Sequence, residues 1–343
     1  MKSLVYRDNG IFFEERDITS VLSEREALVK VKYSSICTSD LHIIKGFVPR
    51  AKNNIVLGHE FVGEVVHVGS AITNLKSGDR VAANCITFCG DCYFCKKGYI
   101  NNCQKGGWEI GCRIDGCQAE YVRIPYADMG LTKIPDNVSY KEALFTGDIL
   151  SSGYFGVELC EIQSDDSVAV IGAGPVGLCA MMCARLFTKG KIIAIDIDDE
   201  RLAIAKNKGL ADVVVNPWKE SVQDVIKVST EGRGVDKVIE AAGTKESFET
   251  AWQIASPNAI VAVVAMYEED LKLPLPKMYG KNLIFKTGGV DAVHCEYLLH
   301  LISEGKISTD FLISKEFEFP DITKAYQYFE AHKGDCLKLA IRH

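Results

Sequence analysis

Gly172, Gly174 and Gly177 stand between the β-branched run SVAVIGAG and an apolar stretch with helical character, PVGLCAMMCARLFTKG. No other feature of the chain narrows its possible folds so far. Gly172 permits a tight turn out of a strand, Gly174 lets the backbone approach a pyrophosphate, and Gly177 lets the following helix pack closely on the strand. Pro175 and Val176 complete the loop. The helix that starts there offers free N–H groups and the positive end of its dipole to phosphates. The alternation then continues. KIIAIDID precedes DERLAIAKNKGL, ADVVVNP precedes ESVQDVIKVSTEG, VDKVIEAAG precedes KESFETAWQIAS, and NAIVAVVAM closes the series. Strands separated by helices of about 10–15 residues predict an α/β fold with a doubly wound parallel sheet of the Rossmann type over residues 151–290. The last of these runs, NAIVAVVAM, is expected to form an exposed edge of the sheet.

Asp196 closes the second strand about 20 residues beyond Gly177, where an acid accepts the ribose hydroxyls of NAD. Asp198 and Asp199 add carboxylates that would repel a 2′-phosphate, and no arginine in this stretch precedes Arg201. NAD is therefore expected over NADP. The run Val168–Ala184 approaches the length of a membrane span, but its three glycines and its proline fit a buried strand and helix better.

The first part of the chain has another pattern. EALVKVKYSSI, EFVGEVVHVGS, DRVAANCI and QAEYVRIP are short β-type runs broken by turn residues, which predicts a barrel-like β domain over residues 1–150. Residues 291–343 are mixed in character and are expected to return to that domain. With 343 residues, two domains are the natural expectation. A net charge of −7 without a basic run argues against a nucleic acid or an anionic membrane as partner. The first residues, MKSLVYRDNG, gain charge too early for a secretion leader. Thirteen cysteines in such a chain suggest reduced thiols in the cytoplasm, where cysteine more often binds metal or does chemistry than forms disulfides.

Four of these thiols fall in CGDCYFCKKGYINNC, as Cys89, Cys92, Cys95 and Cys103. One loop with this spacing can close a tetrahedron of thiolates around zinc with no open position. An iron–sulfur cluster uses similar spacings, but no electron-transfer feature accompanies this one. Of the remaining cysteines, Cys112 and Cys117 are expected to be the more exposed pair, and Cys179 and Cys183 to be buried on the helix after the glycine loop.

CTSDLH, GHEFVGEVVHVG, the Cys89–Cys103 loop and GAGPVGL occur in the order found in the zinc-dependent medium-chain alcohol dehydrogenases, which the chain resembles over nearly its whole length. The resemblance implies a GroES-like β-barrel catalytic domain beside the Rossmann domain, with the active site in the cleft between them. It also implies two zinc ions per chain. Cys37, His59 and Asp148 match the ligands of the catalytic zinc, a set that sequence spacing alone does not link. Glu60 matches an acid that approaches the metal as ligands exchange, and Asp40 an acid that orients the zinc-binding histidine. The four clustered cysteines match the structural zinc lobe.

The same resemblance places Thr38 beside the cofactor. It routes the proton of the alcohol through Ser39 and then the cofactor ribose to His42, while the hydride passes to the nicotinamide. CTSD-x-H, Asp148, Cys85, Ile86 and Trp108 are similar to positions of the bacterial secondary alcohol dehydrogenases, where the last three line a pocket for small ketones. The well-known thermophilic members of that subgroup use NADP and lack the four-cysteine lobe, in contrast to Asp196 and the complete lobe here. DGCQAEYVRIPYAD resembles formaldehyde dehydrogenases, and polyol dehydrogenases are also related. The expected activity is hydride transfer between a small alcohol or ketone, most simply a secondary one, and NAD(H). The alternatives are a formaldehyde, primary alcohol or polyol dehydrogenase of the same family, or a non-catalytic member holding only the structural zinc. A homo-oligomer, specifically a tetramer, is the expected assembly.

Overall fold

The computed structural model describes residues 1–18, 22–332 and 334–343. They form two compact units, Met1–Ser151 with Asp291–His343, and Ser152–Val290.

The first unit is built mainly on antiparallel strands, as its alternating runs predict. Along Glu26–Ser35, Ala27, Val29 and Val31 point into a core shared with Phe61, Val65, Val81 and Leu131. The strand order in the larger sheet is Ile313–Glu318, Lys338–Arg342, Glu26–Ser35, Glu60–Val68, Arg80–Ala83 and Leu131–Lys133, with Tyr121–Pro125 also paired to Glu26–Ser35. Register decides what this sheet can do. Ser35 lies opposite Glu60, Val62 opposite Ala82, and Ala340 opposite Ser35. The chain therefore leaves one strand just before Cys37, enters the next just after His59, and starts the C-terminal strand at Lys338, all at one end of the sheet.

The last residue is anchored in this unit. His343 donates its N–H to Lys32 O at 3.0 Å, stacks on Phe319 with ring centroids 4.1 Å apart, and places Nε2 2.8 Å from Ser34 Oγ. Burial pushes its imidazole down to about 3. The unfolded chain takes that proton near pH 6.5, so the buried neutral ring stabilises the fold fully above that pH and progressively less as pH falls towards 3. The slope is at most about 1.4 kcal/mol per pH unit. His343→Gln is expected to flatten the acid-side fall of the urea midpoint between about pH 6.5 and pH 4. Equal slopes for both proteins would remove this group from the acid response.

The second unit is a six-stranded parallel sheet. Its order is Val213–Val215, Ile192–Ile195, Val168–Ile171, Val235–Glu240, Ala255–Val263 and Ile284–Thr287. The central runs VAVI and IIAI are buried at every position, as a parallel sheet covered on both faces requires. Gly177 lies on the helix Pro175–Ala184, and a Cβ there would stand 1.8 Å from Gly172 O. Only a glycine lets that helix close on the strand. The edge expected of NAIVAVVAM belongs elsewhere. Ala255–Val263 pairs on both sides, and the edge is Ile284–Thr287, where Ile284 is exposed. The parallel apolar run could not reveal that one more short strand follows it. Among the described residues no helix is long and apolar enough to cross a membrane.

Candidate metal and cofactor sites

Cys37 caps the helix Thr38–Ile44, and Asp40 Oδ2 accepts the Cys37 N–H at 3.0 Å, so the first turn of the helix orients the thiol. Glu60 opens the neighbouring strand, Glu60–Val68, and His59 directly precedes it. Asp148 comes from a wide turn, Thr146–Leu150, with π-helical geometry. Gly147 makes that turn possible: a Cβ would meet Ala83 O at 1.7 Å, and Cys85 N–H donates to Gly147 O at 3.1 Å. The result is one cluster. Donor atoms of Cys37, His59, Glu60 and Asp148 all lie within 4.8 Å of one another. His59 Nε2 is 3.3 Å from Asp148 Oδ2, and Nδ1 is 3.4 Å from Asp40 Oδ1.

The electrostatics of the cluster suit a cation. Burial opposes charging of His59, but Asp40 and Asp148 outweigh it and raise the imidazole well above its usual range. Burial would likewise lift Asp148, yet His59 reverses that and holds its carboxyl well below the usual range. Glu60 is pushed up to about 7 by burial, against the pull of Lys338. Neither carboxylate oxygen of Glu60 has hydrogen-bond geometry to a partner. Lys338 Nζ stands 2.5 Å from Oε2 as an ion pair and donates to Ile36 O at 3.0 Å. Sulfur, nitrogen and carboxylate donors gathered in a buried, acid-rich site match what zinc takes.

The second cluster meets a sharper test. Four sulfurs about 2.3 Å from a tetrahedral zinc stand about 3.8 Å apart. Here Cys92–Cys95 measures 3.5 Å, Cys89–Cys103 3.6 Å, and Cys89–Cys95 and Cys92–Cys103 4.0 Å each. These spacings fit a shared ion and are far too long for disulfide bonds. Backbone N–H groups of Cys95 and Gln104 pull the Cys92 thiol down to about 6, whereas burial pushes Cys95 up to about 12.

In the second unit Gly172 adopts φ +97°, and Gly174 precedes the helix that Pro175 opens. Asp196 Oδ2 accepts the Ala173 N–H at 2.5 Å and Oδ1 accepts the Asp198 N–H at 2.9 Å, which fixes the acid against the glycine loop. The Arg201 guanidinium reaches the same loop, 3.8 Å from where a Cβ on Gly174 would stand.

Residues 23–136 match the alcohol dehydrogenase GroES-like domain family, and residues 175–291 the zinc-binding dehydrogenase family. An alcohol dehydrogenase of Cupriavidus necator is 35% identical over an alignment covering 100% of this chain and 98% of its own. The chain belongs to the zinc-dependent medium-chain alcohol dehydrogenase family. The NADP-dependent isopropanol dehydrogenase of Thermoanaerobacter brockii is 32% identical, with 91% of each chain covered. The solved alcohol dehydrogenase TADH from Thermus sp. ATN1 superposes with a TM-score of 0.94 at 32% identity, over 100% of this chain and 99% of that one.

Around the cluster of this dehydrogenase, Ser39 Oγ is 3.5 Å from Cys37 Sγ, with Thr38 before it and His42 one turn further along the helix. Trp108 meets the His59 ring edge-on, centroids 5.6 Å apart. Cys85 is buried, and its thiol is raised by burial and then by Asp148; Ile86 is partly exposed beside it. Cys112 and Cys117, expected to be exposed, are fully buried. The turn-rich sequence GCRIDGCQ packs inward, and Cys117 Sγ donates to Glu60 O. Two residues of this site escape a reading of the sequence. Lys338 lies in the alternating run CLKLAIRH, whose pattern reads as a solvent-facing lysine, yet its side chain is buried. Tyr326 is buried, its phenol raised by burial and by the neighbouring Asp40; no sequence signal marks it.

Proposed function

We propose that this zinc-type dehydrogenase transfers hydride between a small alcohol or ketone, with secondary alcohols as the simplest class, and NAD(H). The gathering of Cys37, His59, Glu60 and Asp148 donors within 4.8 Å carries the reading. Cys37, His59 and Asp148 would hold a catalytic zinc, Glu60 would approach it, and Asp40 would orient His59. Cys89, Cys92, Cys95 and Cys103 would hold a structural one. A catalytic zinc supplies Lewis-acid polarisation of the hydroxyl or carbonyl oxygen. The Ser39 hydroxyl, adjacent to Cys37, would take the proton of the alcohol, and His42 on the same helix would hand it on to water.

The glycine loop, Thr38, Pro175, Val176 and Arg201 would seat the dinucleotide, and NAD supplies the hydride acceptor. Asp196 would accept ribose hydroxyls and disfavour a 2′-phosphate. Asp196→Gly is accordingly expected to shift the ratio of kcat/KM for NAD over NADP by about tenfold or more. An unchanged ratio would refute this role. Cys85, Ile86 and Trp108 would line the substrate pocket, and the exposed edge Ile284–Thr287 would pair with a second copy in an oligomer. Rates with NAD on 2-propanol, 2,3-butanediol, ethanol, formaldehyde and sorbitol test the assignment. Fastest turnover of 2-propanol or 2,3-butanediol supports it, and no turnover of any alcohol overturns it.

A further inference from the structure

Asn84 stands between Ala83 and Cys85, the residues against which Gly147 seats the turn of Asp148. The proposed chemistry leaves its side chain unused. Asn84 is buried, and both ends of its carboxamide are engaged. Oδ1 accepts the Ile86 N–H at 2.8 Å, and Nδ2 donates to Ala292 O at 3.0 Å and to Asp291 O at 3.3 Å. One amide therefore holds the peptides on both sides of Ala292, next to where the chain re-enters this unit at Asp291.

Ala292 itself is buried at φ +50°, in the left-handed region that a Cβ disfavours. Such a residue persists where its surroundings hold it, and here two bonds from Asn84 do so. Three residues on, Cys295 opens the helix Cys295–Ser303. Its sulfur lies 3.2 Å from Ala292 O, 3.8 Å from Thr146 O and 3.9 Å from Ser151 Oγ. The Thr146–Leu150 turn is thus gripped from two sides. Ala83 and Cys85 meet it at Gly147, and Cys295 meets it at Thr146. The Asn84 amide ties those two sides together.

We infer that Asn84 is a positioning residue for the catalytic metal site: by joining Ala83–Cys85 to the segment Asp291–Cys295, it clamps the turn that presents Asp148. Asn84 holds no metal itself and acts through that turn. The demand on the clamp is strict, because a carboxylate displaced by about 1 Å loses a zinc–oxygen bond of about 2.1 Å. The four-cysteine lobe makes no use of this clamp, since its ligands come from another loop. The inference rests on the reading of Cys37, His59 and Asp148 as one zinc site.

The test measures zinc bound per chain at graded, buffered free zinc in the full-length wild type, Asn84→Ala and Asn84→Ser. Asp148→Asn marks which of the two binding steps belongs to the clamped site. Asn84→Ala is expected to weaken that step about tenfold and to leave the four-cysteine step unchanged. Asn84→Ser keeps one short donor and should lose less; it also serves if the alanine variant fails to fold. With 2-propanol, kcat of Asn84→Ala should fall as the clamped site empties, while KM for NAD stays. Unchanged affinity at the Asp148 site, or equal weakening of both sites as a general loosening of the fold would give, overturns the inference alone. A wild type that binds a single zinc, in the four-cysteine lobe, would sink both it and the reading on which it rests.

Discussion

Asp148→Asn is expected to lower kcat/KM by about a hundredfold or more and to reduce the zinc content from two ions per chain to one. Asparagine keeps the size of the side chain, so the turn held by Gly147 against Ala83 should survive. What disappears is charge. The buried His59 loses the partner 3.3 Å from its Nε2, and a cation loses one of its anionic donors. The cysteine cluster belongs to a different loop and should keep its ion. Zinc analysis beside kinetics separates the two effects. A variant with full activity and two zinc ions would take Asp148 out of the ligand set.

Lys338→Met should destabilise the fold strongly, by about 3–5 kcal/mol, because it removes one member of a buried ion pair. Lys338 and Glu60 are both almost wholly inaccessible, 3% and 0% by side chain. With the cation gone, the Glu60 carboxylate would lie uncompensated beside Asp148, and burial already pushes it towards neutrality. Adding Glu60→Gln removes that charge, so the double variant should recover most of the loss. Chemical denaturation of the zinc-free wild type, both single variants and the double variant gives the comparison. A loss under about 1 kcal/mol in Lys338→Met would mean that the pair carries little of the fold's stability.

These two residues also mark how much the sequence could disclose. The glycine loop was legible because strand, turn and helix follow one another within about twenty residues and each glycine answers a local steric demand. The thiol lobe was legible for the same reason: its four sulfurs come from one short loop. Cys37, His59 and Asp148 were not, since the strand register opposing Ser35 to Glu60 and the turn seated on Ala83 bring them together, and no spacing encodes a register. Resemblance to a family supplied that link. Lys338 arrives from the far end of the chain by the same sheet, and a lysine in a polar-apolar alternation passes easily for a solvent-facing one. The misplacement of Cys112 and Cys117 has a related cause. Their glycine-rich surroundings suggest a surface turn, yet the chain folds back beneath His59 and seals both thiols.

On the proposed function, sulfur, imidazole and carboxylate from three separate segments share one ion. Diffraction from crystals of the zinc-loaded protein, recorded on both sides of the zinc absorption edge, tests it most directly. Two anomalous peaks per chain are expected, one among Cys89, Cys92, Cys95 and Cys103, and one touching Cys37, His59 and Asp148. A single peak confined to the four-cysteine lobe would contradict it.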